Sequence, residues 1–334
     1  MKRYLLLFAC LSLACFTGCG RGHSAGRQNL PVVKVIINSW PGLGPYYVAQ
    51  AKGFDRAQGI SLDVSMNEDP TLRHTALESG DADLVGITMD AVVIARAHGV
   101  PMTAVGQSDY SFGGDGIIAG KSIQTLADLK GKRIAYSPGQ PSEFFLLVVL
   151  QKEHLGLQDF TKIPAGDPSL AAQMFTAGRA DAAVTWDPWI SQAEKLARGH
   201  VIVSTRDTPG ILLGIVAANS NLLPEHKDHI YRSQKAWLMA VDYCRQHPDE
   251  SAQIMARKFN VPMADFKRMA KGAQIADLAE ELKTFGTREN PGAILQIANQ
   301  ANALWLEAGA IQKAVDPYSV VDWTIVDELR KAEK

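Results

Sequence analysis

Two short phrases in the 334-residue sequence combine hydroxyls, aromatic rings and free backbone donors at matching places. S39-W-P-G42 follows the β-branched run V32-V-K-V-I-I37, and S137-P-G-Q-P-S142 follows R133-I-A-Y136; each leads into a stretch that reads as helix. A helix start presents unpaired N–H groups and the positive end of the macrodipole, which favours an anion by about 0.3–1 kcal/mol at exposed sites. Ser39, Ser137 and Ser142 add hydroxyl donors or else cap their own helices, and Gly42 and Gly139 belong to the same turns. Three acids point the other way: Asp90 two residues after Thr88, Asp115 in G113-G-D-G116, and Asp187 in W186-D-P-W189. None of these loops holds a Lys or Arg, although a pure anion site is expected to recruit an Arg fork. Acids beside Trp40, Tyr46, Tyr110 and Trp186 instead suit an ammonium, guanidinium or heteroaromatic cation. A zwitterion such as an amino-sulfonate satisfies both sets. Asp187 before Pro188 reads equally as a helix cap, and Asp115 as a shaper of a hinge. The residues expected to touch a ligand are Ser39, Trp40, Gly42, Thr88, Ser137, Gly139, Ser142, Trp186 and Asp187, with Asp90 and Asp115 in second rank. Trp189 and Trp237 are expected in the core.

These residues recur at a constant offset. Ser39 and Ser137 are 98 positions apart, as are Tyr46 and Phe144, Tyr47 and Phe145, Gly80 and Gly178, and Asp83 and Asp181. The blocks L77-E-S-G-D-A-D-L-V-G-I-T-M-D90 and F175-T-A-G-R-A-D-A-A-V-T-W-D187 both read as a helix end, a Gly stop and a short buried strand. Strand–helix units repeat in any α/β protein, but five matches over two differently shaped junctions favour two similar α/β lobes. Open α/β sheets bind ligands at the carboxyl ends of their strands, so facing lobes would share one crevice. The β-type runs G114-D-G-I-I-A-G120 and I211-L-L-G-I-V-A-A218 are the expected crossings between them. Lobe one is then 32–115 plus 214–334, and lobe two 116–213. Beyond Pro224 the apolar spacing turns helical, through Ile230, Trp237, Val241 and Cys244 and again from Ile294 to Ala308, as packing for lobe one.

The leader bounds where this happens. Lys2 and Arg3 precede an apolar run from Leu5 to Phe16, inside the roughly 7–15 residues of a secretory h-region and short of the about 20 a membrane span needs. F16-T-G-C19 resembles a bacterial lipobox, so residues 1–18 are expected to be removed, Cys19 lipidated and 19–31 left as a flexible tether on a bacterial membrane, facing the periplasm or cell exterior. Removing 18 of 334 residues leaves 316, and losing Lys2 and Arg3 moves the formal charge from −1 to −3. Of four cysteines only Cys19 and Cys244 remain, so no internal disulfide is expected. No basic cluster suggests nucleic acid. No nucleophile elbow, Walker loop or zinc-type cluster is present, and H226-K-D-H229 reads as a solvated helix start; no enzyme, metal or cofactor is expected.

W40-P-G-L-G-P45, G80-D-A-D-L-V85, D115-G-I-I-A119, L126-A-D-L-K-G-K-R133, S137-P-G139 and A182-A-V-T-W-D-P-W189 occur in an order similar to that of bacterial solute-binding proteins for ABC importers. The chain resembles the taurine, aliphatic sulfonate and nitrate group, which also includes thiamine-precursor binders, well over Val32 to Ala218 and loosely beyond. The resemblance implies an α/β, two-lobed periplasmic-binding-protein type II fold with two crossing strands and a helical C-terminal part. It also implies a monomer that closes over one small-molecule ligand and delivers it to an ABC permease. Three alternatives stay open: the same role for a cationic nitrogenous solute, a ligand-sensing lipoprotein, and a periplasmic enzyme.

Overall fold

The computed structural model describes residues 30–195 and 199–333; the expected leader, Cys19 and tether residues up to 29 lie outside them. Among the described residues eleven strands are interspersed with helices: β1 (Val32–Ile37), β2 (Ser61–Met66), β3 (Leu84–Thr88), β4 (Met102–Ser111), β5 (Asp115–Gly120), β6 (Arg133–Tyr136), β7 (Thr161–Pro164), β8 (Ala182–Trp186), β9 (Gly199–Ser204), β10 (Leu213–Asn219) and β11 (Ala273–Ile275). They form two sheets, a six-stranded one in the order β11-β4-β10-β3-β1-β2 and a five-stranded one in the order β7-β6-β8-β5-β9. This is the α/β, two-lobed fold expected.

The two lobes repeat one construction. β1 pairs in parallel with β2 and β3, and β6 with β7 and β8. The helices Pro70–Ser79 and Pro168–Thr176 both start behind an Asp whose carboxylate accepts a backbone N–H, Asp69 from Thr71 and Asp167 from Leu170. Both end near a glycine at positive φ, Gly80 at 81° and Gly178 at 73°, where a side chain would strain the turn. Asp83 and Asp181 then each accept the backbone N–H of Lys34 or Arg133 at 2.8 Å, tying the second strand to the first. Strand pairing adds a detail: Val35 faces Leu84 and Ile134 faces Ala182, so the first strands are 99 positions apart and the later ones 98. By that register Asn38, not Ser39, is the counterpart of Ser137.

The chain passes between the sheets through 112–114 and again through 205–212. β5 and β10 flank these passages, each lying within one sheet. The passages are bonded to one another: the Ser111 and Thr205 hydroxyls lie 2.8 Å apart, and the Gly113 N–H donates to Thr205 Oγ1 at 2.7 Å. The tail packs mainly as expected, with Trp237 of the helix Leu223–Gln246 against Tyr46 at 4.6 Å between ring centroids. The helix Ala293–Glu307 does more. Its Trp305 donates from Nε1 to the Asp90 carbonyl in lobe one and packs, tilted by 39°, 5.8 Å from Phe144 in lobe two, inside one core that runs through both lobes. Trp237 is fully buried, while Trp189 is only half-buried. Among the described residues no helix is long and apolar enough to cross a membrane.

Candidate functional site

A cleft of about 810 Å3, counted to its open mouth, lies between the carboxyl ends of the two sheets, where open α/β sheets bind their ligands. Lobe one lines it with Asn38 and Trp40, with Glu68, Arg73 and His74 around the start of the helix Pro70–Ser79, with Thr88 at the end of β3, and with Ser108, Asp109 and Ser111 on β4. Asp115, Gly139, Gln140 and Trp186 line it from the other side. Of the residues expected from sequence, Trp40, Thr88, Asp115, Gly139 and Trp186 therefore meet at one cleft. Ser39, Gly42, Asp90, Ser137, Ser142 and Asp187 lie behind or beside its lining.

Local bonding explains where those six sit. The Ser39 N–H donates to Glu68 Oε1 at 2.8 Å, and the Gly139 N–H to Glu143 Oε2 at 2.6 Å, so each junction's free amide is taken by an acid of its own lobe. The Ser142 hydroxyl turns back toward the Ser137 carbonyl, and the Ser137 hydroxyl is buried without a partner. Asp187 accepts from the Ser191 N–H at 3.0 Å and from the Ser191 hydroxyl at 2.5 Å, capping the helix Trp189–Lys195. Gly42 packs under the Asp109 carboxyl: a Cβ there would lie 2.4 Å from Asp109 Cγ. Tyr46 belongs to the core, fully buried against Trp237.

The floor of the cleft is acidic. Asp109 accepts from Trp40 Nε1 and from the Ser108 hydroxyl, both at 2.8 Å; burial pushes its carboxyl up to about 6 against those two donors. Asp115 is pushed up to about 7 by burial, with a Ser111 hydrogen bond opposing and the charges of Asp109, Asp187 and Asp90 adding to the rise. Asp90 reaches about 7, again through burial, with Thr88 and the amides of 90 and 91 opposing. Neither Asp90 oxygen has a well-formed hydrogen bond.

Opposite charge and free donors come from a place the sequence reading passed over. Arg73 is 7% exposed; Nη1 donates to the Asn67 carbonyl at 2.6 Å while Nε is buried without a protein partner. Its neighbour His74 has a buried, unpartnered Nε2, and burial followed by the Arg73 charge lowers its pKa to about 4, so the ring is neutral at pH 7. Thr88 Oγ1 and Trp186 Nε1 are likewise buried and unpartnered. Arg73 and Trp186 thus hold polar hydrogens that nothing in the protein uses, a condition that costs about 1–3 kcal/mol per group unless a guest or water fills it. A signal for Arg73 existed: D69-P-T-L72 and D167-P-S-L170 match at offset 98, and the copies then diverge, R73-H74 against A171-A172. Asp109 carried none, because in V105-G-Q-S-D-Y110 it looks like the solvent face of a strand.

A profile of a family described as NMT1/THI5 like matches residues 40–251. The chain is 26% identical over 261 residues to a Bacillus subtilis protein named "Putative aliphatic sulfonates-binding protein", covering 76% of this chain and 77% of that one. Its fold is similar to that of the periplasmic aliphatic sulphonate binding protein SsuA from Escherichia coli, with a TM-score of 0.73, 18% identity, and 89% and 99% of the two chains covered. It is also similar to that of the periplasmic nitrate-binding protein NrtA from Synechocystis PCC 6803, with a TM-score of 0.71, 15% identity, and 91% and 89% covered.

Proposed function

We propose, from the premise that this chain belongs to the NMT1/THI5-like family, that it is the extracytoplasmic solute-binding receptor of an ABC importer. It closes two lobes, 32–115 with 214–334 and 116–213, over a small solute of the sulfonate, taurine or nitrate kind and hands it to a membrane permease. The observation that carries this reading is the shared cleft, whose lining combines Arg73 and Trp186, each with an unused buried polar hydrogen, and draws on both lobes. A ligand touching both walls favours the shut state by no more than its difference in affinity for the two states. The receptor stands outside the cytoplasmic membrane, held as a monomer by lipid on Cys19 beyond a short tether. No catalytic step is assigned to it.

Mass spectrometry of small molecules released from gently purified protein, with a thermal-shift panel of taurine, alkyl sulfonates, nitrate and aminopyrimidines, tests the reading. A ligand at one hundred times its dissociation constant adds about 2.7 kcal/mol of stability. Replacing Trp186 or Arg73 by Ala should erase that gain, and the released compound should be recovered unaltered on reincubation. Chemical turnover of the compound, or variants that respond like the parent, would reject the reading.

A further inference from the structure

We infer that lobe two carries a second binding surface, a groove at the amino ends of β6 and β8 that receives the first turn of an acidic helix from a partner protein. The groove lies at the opposite end of these strands from the cleft. It is lined by Ser122, Ile123, Lys132, Arg133, Phe175 and Asp181, with small residues between them.

Lobe one has the same groove and fills it with its own chain. Ala218 pairs with Leu84 as Ala119 pairs with Ala182, so Asn219 and Leu222 correspond to Gly120 and Ile123, and Ala82 and Asp83 to Ala180 and Asp181. In lobe one Leu222 runs straight into the helix Leu223–Gln246, whose Leu223 and Ile230 are buried and whose His226 meets Asp83 at 2.8 Å. About 190 Å3 is left there, against about 590 Å3 in lobe two, both counted to the open mouth. In lobe two the chain turns away after Ile123 into the short 3-10 helix Leu126–Leu129, capped by Thr125 and Asp128, and the groove stays open.

The charge around the open groove differs as well. Lys121, Lys132 and Arg179, all exposed, stand where lobe one has Ser220, Val33 and Asp81. Lys132 and Arg133 line the groove, and Lys121 and Arg179 each sit between two lining residues. Among the described residues that line it Asp181 is the one acid, and Arg133 holds both its oxygens, donating to Oδ1 at 2.9 Å and to Oδ2 at 3.2 Å. A plug that brought a base, as His226 does in lobe one, would find its acid taken and would meet like charge on the rim. An acid in that place meets Lys132, and acids are in any case favoured in the first turn of a helix by its macrodipole. Ile123, Phe175 and Ala180, all buried, form the floor. A bare inorganic anion would leave that floor uncovered, whereas a helix turn lays aliphatic side chains on it, as Leu223 and Ile230 do in lobe one.

Photocross-linking in the cells that make the protein tests this, with p-benzoylphenylalanine in place of Ser122 in the full chain. The expected result is a discrete protein adduct whose cross-linked peptide, read by mass spectrometry, is a helix start with acids in its first turn. Lys132→Glu in the same chain should cut the yield about tenfold by setting like charges against each other, and Lys132→Arg should keep it. Lys132 is exposed, so the reversed variant should unfold at the wild-type temperature; if it does not, the charge of the captured peptide decides. The inference is overturned by the absence of an adduct, or by a yield indifferent to the charge at position 132. An adduct with phospholipid, with a second copy of this chain, or with a neutral or basic segment overturns it equally. None of these outcomes touches the receptor reading, because groove and cleft lie at opposite ends of the strands.

Discussion

Asp90 is sealed from water at the start of the helix Met89–Ala97, and its backbone carbonyl is claimed by Trp305 while its side chain has no good partner. Burial raises its carboxyl from the ordinary range to about 7. The folded chain then keeps a proton there that the unfolded chain has already released, at an ordinary carboxyl value of about 3.9. The associated stability is complete below the unfolded value and is lost as pH rises through about 7. Asp109 and Asp115 slope the same way. Asp90→Asn keeps the neutral form at every pH. Urea unfolding should find the variant about 1–3 kcal/mol more stable than wild type at pH 8 and close to it near pH 4; parallel curves across that range would contradict the burial argument.

At the level of elements, the two strand–loop–helix junctions are less available to an anion than their residue types suggest. Glu68 closes one and Glu143 the other, each accepting a loop N–H at hydrogen-bond distance. What the first junction does supply is geometry. The turn at Gly42 lets Trp40 reach across to Asp109, and Gly214 on β10 allows the same close approach from the other side, 2.6 Å from Asp109 Oδ2 for a Cβ placed there. Gly42→Ala should push Asp109 out of line with Trp40 Nε1. The expected outcome is a loss of about 1–3 kcal/mol in thermal unfolding, as for other overpacked sites, with solute affinity down at least tenfold. Unchanged tryptophan fluorescence and unchanged affinity would show that the turn has room to spare.

Over the whole molecule, closure has to work against a continuous core. The two passages are bonded side by side through Ser111, Gly113 and Thr205, and the helix Ala293–Glu307 touches both lobes through Trp305. Trp305 touches both lobes, so its replacement should loosen the pair of lobes rather than the cleft wall. Trp305→Phe loses one buried hydrogen bond, and we expect about 1–3 kcal/mol less stability together with a larger radius of gyration by small-angle scattering in the unliganded state and none once solute is bound. An unchanged scattering profile would show that the lobes are held together elsewhere. The expected anchor is also a property of the whole: Cys19→Ser should convert a membrane-fraction protein into one released with the soluble periplasmic or culture fraction, read by blotting after detergent-free fractionation.

Periodicity and the constant offset were enough to establish the α/β class, the doubling of the fold and some residues on each side of the cleft, because strands, Gly stops and helix starts are local events written in a few adjacent residues. Trp40, Thr88, Asp115, Gly139 and Trp186 could be found that way, each at a strand end or a turn. Folding alone could show that Glu68 and Glu143 occupy the junction amides, that Asp187 serves its own helix, that Ala293–Glu307 joins the lobes, and that Arg73 and Asp109 share a cleft though 36 positions separate them. Those are long-range choices. They depend on which buried polar group finds a partner once burial has raised the penalty for lacking one, and no spacing along the chain encodes that outcome.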